Sequence, residues 1–75
     1  MDTELLCEKI KIERKVFSFD LRENPRGRFL RITEDVGGRR DAIVVPATGL
    51  EEFREIIDRV MDADAKAGHC ESNFD

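Results

Sequence analysis

Between Arg22 and Arg31 the chain places four arginines, Arg22, Arg26, Arg28 and Arg31, around one amide, Asn24, and one aromatic ring, Phe29. A guanidinium grips phosphate bidentately and stacks on planar groups. A ring on an open sheet face offers an unpaired base a stacking surface worth about 1–3 kcal/mol. Cations, an amide and an aromatic ring in one hairpin are the chemistry of single-strand recognition. The plainer reading, a core phenylalanine among solvated arginines, is weakened by phase. Phe29 alternates with Leu30 and Ile32, so if those two face a core, Phe29 does not. Lys9, Lys11, Arg39 and Arg40 are further cations suited to electrostatic support.

Catalytic chemistry finds little support. The single histidine, His69, sits beside Cys70 near the C-terminus, and adjacency alone makes no nucleophile–base pair. There is no Walker loop, dinucleotide fingerprint or zinc spacing, and Gly37-Gly38 precedes a strand rather than a helix. No enzyme activity, metal or cofactor is expected. Cys7 and Cys70 are expected to be free thiols of a reducing compartment.

The elements that position these residues follow from periodicity. Leu5–Glu13 reads as a strand with Leu6, Ile10 and Ile12 on one face and Cys7, Lys9 and Lys11 on the other. Lys15–Glu23 alternates Phe17, Phe19 and Leu21 against Ser18, Asp20 and Arg22. Asn24-Pro25-Arg26-Gly27 has the residues of a type I turn, so Arg28–Glu34 is the second arm of a hairpin. A glycine-rich loop, Asp35–Arg40, leads to a fourth strand, Asp41–Pro46. Its unbroken run, Ala42-Ile43-Val44-Val45, is what a strand covered on both faces would show, and Pro46 ends it or lies on an edge. Thr48 and Glu51 have the spacing of a capping box. A helix follows to about Ala65, with Leu50, Phe53, Ile56, Ile57, Val60 and Met61 as one apolar stripe. The order is β-β-β-β-α, an α+β meander with one helix to cover a face, and residues 67–75 form a polar tail.

Composition bounds the partners. With 75 residues this is one domain, marginal alone at this size and in need of a second stabilising device such as oligomerisation. The net charge is −4, yet its distribution is uneven. From Lys9 to Arg40 there are ten basic residues against five acidic; from Ala47 onward there are three against eight. That split implies one basic and one acidic surface, and the basic one can hold phosphates because charges beyond about 8 Å are screened. No apolar run spans a membrane and no basic, apolar leader opens the chain, so a cytoplasmic protein, with nucleoid association open, is expected.

The segment KVFSFDLRENPRGRFLRI, followed by GGRRDAIVVPATGLEEFREII, resembles the repeat of the Pur-alpha family of purine-rich element binding proteins, from about Leu5 to Met61. The resemblance implies four antiparallel strands followed by a helix. Two such Pur repeats intertwine, helix over the partner's sheet, into one Whirly-like domain. A chain with one repeat (core about 5–66) looks like the single-repeat bacterial form and implies a homodimer. It also implies binding of single-stranded DNA or RNA with a preference for purine- and G-rich sequences, opening of short duplexes, and a role in transcriptional or post-transcriptional regulation. By position, Arg22 and Arg26 would hold phosphates or base edges, Asn24 would hydrogen-bond a base, and Phe29 would stack on it. Pro25 departs from the family pattern by stiffening the turn, and the chain beyond Ala63 lies outside the resemblance. The alternative reading of the same fold is a protein-interaction module whose basic face meets an acidic protein.

Overall fold

The computed structural model describes residues 2–68. Four strands, β1 (Thr3–Ile12), β2 (Lys15–Asn24), β3 (Gly27–Val36) and β4 (Arg39–Pro46), form one antiparallel sheet in chain order. A single 3₁₀ turn (Ala47–Gly49) leads into helix α1 (Leu50–Ala67). His69, Cys70 and the polar tail lie outside the described residues.

Each strand is longer than its alternating apolar core implies, because the connections are as short as connections can be. Ile12 pairs with Lys15, Asn24 with Gly27, and Val36 with Arg39, leaving two residues at each tip. Gly37 and Gly38 both adopt positive φ (59° and 92°), the requirement of a type I′ turn, whose twist matches that of its strands. Asp35 accepts from the Gly38 N–H at 3.0 Å and holds Arg40 Nε at 3.2 Å, so one carboxylate fixes the tip and a neighbouring cation. At the β2–β3 tip Asn24 Oδ1 accepts from the Arg26 N–H at 2.9 Å, an Asx turn. The β1–β2 tip has no such glycine, and Glu13 itself is forced to φ 57°.

The register sorts the side chains into two faces. Leu6, Leu21, Leu30 and Val45 lie in one row, and Phe19, Ile32 and Ile43 in the next; these make the apolar face. Arg22 and Phe29, then Asp20, Arg31 and Val44, then Lys9, Ser18 and Thr33, make the polar face. A bulge between Glu4 and Leu6 adds one residue to β1. Glu4 therefore lies opposite Arg22 on the polar face, although its even number would place it with Leu6 and Ile10.

Two expectations are corrected. The capping box does not form: the 3₁₀ turn starts at Ala47, directly after Pro46, which puts Thr48 inside a helical turn instead of at the extended N-cap position its hydroxyl needs. Gly49 is the N-cap of α1, without a side-chain hydrogen bond. At the far end Gly68 (φ 85°) caps the helix, its N–H reaching the Ala65 carbonyl at 3.3 Å.

The larger correction concerns the helix, which does not lie along its own sheet and meets the chain mainly through the 3₁₀ turn. None of the described residues is buried. β4 is an edge strand, and within the single chain Ile43 is 57% and Val44 59% exposed. On the helix, Phe53, Ile56, Ile57, Val60 and Met61 are exposed as well. Among the described residues no helix is long and apolar enough to cross a membrane.

Holding a non-glycine residue in the left-handed region costs roughly 1–2 kcal/mol, and asparagine tolerates it best. Glu13→Asn is therefore expected to raise stability by up to about 1 kcal/mol, read as a higher midpoint in urea denaturation.

Candidate nucleic-acid interface

Arg22 and Phe29 are directly opposed across β2 and β3, with Pro46 beyond Phe29 on β4. Phe29 is half-buried and lies on the polar face, as its phase against Leu30 and Ile32 requires. Arg31 follows two residues on, between Asp20 and Val44. Below it, Lys9, Ser18 and Thr33 line up, and then Lys11, Val16, Asp35 and Arg40. The lower part is an open groove of roughly 370 Å³ lined by Lys9, Ser18, Arg31, Thr33 and Arg40 among others. From Phe29 to Asp35 the polar face runs about 20 Å at 3.4 Å per residue.

Alternation separates residues that adjacency in sequence seemed to join. Arg28 lies on the apolar side, bound to Glu23 at 3.2 Å. Arg39 is on that side too, beside Lys15, Glu34 and Asp41. Neither shares a face with Phe29. Arg26 stands exposed at the tip of the hairpin. The structure thus gathers Lys9, Lys11, Arg22, Phe29, Arg31 and Arg40 on one face, Asn24 and Arg26 at its end, and sets Arg28 and Arg39 aside.

The cations differ in how they are engaged. Lys9, Lys11, Arg26 and Arg31 hold no ion pair among the described residues. Arg40 is held by Asp35. Arg22 has Asp2 Oδ2 3.6 Å from Nε and Glu4 Oε1 3.6 Å from Nη1. Asn24 spends its carbonyl oxygen on the turn, while its amide nitrogen lies 3.5 Å from Asp2 Oδ1. Sequence reasoning missed Asp2 and Glu4; only the bulge in β1 brings Glu4 to this face.

Cys7 is exposed and free, and its donor atom clusters within 4.8 Å of those of Glu4 and Asp20. A hydrogen bond to Asp20, with desolvation and the nearby Asp20 and Glu4 charges, raises the thiol above its usual pKa, against a smaller opposing effect of Lys9. The trio reads as a protonated thiol donating to a carboxylate.

A two-faced ββββα sheet with one cationic, aromatic-bearing face and one uncovered apolar face defines a small binding module. Comparison with known proteins makes the class specific. The family model described as PurA ssDNA and RNA-binding protein matches residues 2–74, beyond the Leu5–Met61 span of the motif resemblance. The chain belongs to the PurA family. It is 38% identical over 63 residues to transcription factor Pur-alpha 1 of Arabidopsis thaliana, covering 84% of this chain and 21% of that protein. It is 39% identical over 65 residues to the human transcriptional activator protein Pur-alpha, covering 77% and 20%. Human transcriptional regulator protein Pur-beta is 37% identical over 73 residues, covering 77% and 23%. The chain spans about a fifth of the length of these relatives.

A raised thiol pKa means less thiolate at any given pH, hence slower alkylation. Cys7 is expected to react with iodoacetamide at pH 8 more slowly than an unstructured cysteine peptide. Asp20→Asn should speed it, as followed by mass spectrometry of the Cys7 peptide.

Proposed function

We propose that this chain is a single-stranded nucleic-acid binding subunit that acts in transcriptional or post-transcriptional regulation, with a preference for purine- and G-rich strands. One observation carries the reading: Phe29 shares a face with Lys9, Lys11, Arg22 and Arg31, opposite the face that carries Phe17, Phe19, Leu21, Leu30 and Ile32. A strand laid along that face would stack a base on Phe29, beside Arg22, and run its phosphates past Arg31 and Lys9. The family, named for single-stranded DNA and RNA binding, supports it. The relatives named as transcription factors or activators support the regulatory role.

The subunit works as a homodimer in this reading. A helix stripe and a sheet face, both apolar and neither covered by the other, are complementary surfaces that a second copy would join. Obligate homodimers join apolar surfaces of this kind over interfaces of roughly 2,000–5,000 Å². The fold is then a property of the pair, and residues 1–75 form one repeat of it.

Ultracentrifugation is expected to give twice the chain mass of 8.6 kDa, and Ile57→Lys on the helix stripe is expected to abolish both the dimer and the cooperative unfolding transition. Fluorescence anisotropy with a labelled GGA-rich single strand tests the binding. Phe29→Ala should weaken it by about 1–3 kcal/mol without loss of fold. Arg31→Ala and Lys9→Ala should each lower the slope of log affinity against log salt by about one, whereas Arg28→Ala and Arg39→Ala leave it unchanged. Failure of the wild type to bind any single strand at low salt would move the basic face to an acidic protein partner.

A further inference from the structure

Arg22 is held unusually for a phosphate-binding arginine. Two carboxylates flank it at 3.6 Å, close enough to cancel its charge yet outside the range of a strong hydrogen bond. It makes no hydrogen bond among the described residues: its Nε, shut off from solvent, has Asp2 Oδ2 at 3.6 Å but no hydrogen-bond acceptor in range. The charge of the guanidinium is thus offset at close range while its terminal Nη donors stay without a hydrogen bond. Asp2 also reaches the amide of Asn24, so the same acidic segment sits against two residues of the interface. The bulge that turns Glu4 onto this face is local to that segment; bulges are a common way to re-aim a side chain at a site.

Phosphates and bases respond to such a site in opposite ways. A phosphate oxygen only accepts hydrogen bonds and carries negative charge, so Asp2 and Glu4 repel it. A base edge is neutral and presents donors beside acceptors. Guanine, with its O6 next to N1–H and N2–H groups, can accept from Arg22 and donate to a carboxylate in one plane.

Building on the binding function proposed above, we propose that Asp2 and Glu4 make the Arg22–Asn24 end of the sheet a reader of base edges and a poor site for bare phosphate. They lower affinity for polyanions and raise discrimination in favour of unpaired bases with adjacent donors and acceptors. The phosphate track then begins at Arg31 and Lys9, whose charges are not cancelled in this way.

The test compares wild type, Asp2→Asn/Glu4→Gln, and the charge-matched control Glu55→Gln/Asp58→Asn on the helix. Each is titrated with a GGA-rich single strand and, separately, with heparin, a polyanion without bases. The proposal expects the Asp2/Glu4 variant to gain heparin affinity beyond the control, and its oligonucleotide-to-heparin affinity ratio to fall roughly three- to tenfold, the scale of two exposed ion pairs. In an Arg22→Gln background the fall should disappear. Equal gains on both ligands, or gains no larger than the control's, would overturn it while leaving the binding function intact. If wild type binds no oligonucleotide, the binding function fails on its own. The filter is then judged on heparin alone: elution of the Asp2/Glu4 variant at higher salt than the control supports it, and co-elution overturns it.

Discussion

The strict two-residue alternation of β2 and β3 is the constraint on which the rest of the molecule depends. Phe17, Phe19, Leu21, Leu30 and Ile32 all fall on one side of the sheet, which leaves Arg22, Phe29 and Arg31 no place but the other. A shift of one residue in either strand would exchange the two sets. The three two-residue turns prevent that slip, each by a different device: an Asx turn at Asn24, paired positive-φ glycines at Gly37-Gly38, and a strained Glu13.

An apolar face this large demands a cover, and the chain does not supply its own. The helix carries a matching apolar stripe but departs from the sheet at the 3₁₀ turn after Pro46. Hydrophobic burial is the main favourable contribution to folding, so a chain with no buried residue among those described has its largest stabilising term still to gain. In the dimer proposed above, a second copy would cover the apolar face and leave the polar face open.

The polar face is itself graded. At its upper end carboxylates crowd Arg22, and Asn24 is divided between a turn and Asp2. Lower down, Lys9 and Arg31 flank hydroxyls in an open groove. Charges left uncompensated act over a Debye length and attract phosphate; charges compensated at close range act only through their hydrogen-bond donors. In the binding mode proposed above, one sheet would separate reading from holding along its length.

Much of this was legible in the residues. The four strands, their order, the helix and the opposition of Phe29 to Leu30 and Ile32 follow from periodicity and turn chemistry. The separation of Arg28 from Phe29 was also there to be read, since neighbours in a strand point apart, but clustering in sequence obscured it. Arg39 could be assigned a face only once Gly37-Gly38 was known to be a two-residue turn, because one more residue would have reversed it. The bulge at Glu4 leaves no mark in composition, being a property of how β1 meets β2, and with it went the neighbours of Arg22. The sequence by itself determined which side chains share a face within the alternating runs of β2 and β3, because that is a local matter of backbone geometry. Only the tertiary structure decided where the helix lies and which carboxylates meet which cations, because those depend on the direction of one short turn and on pairing across strands far apart in the chain.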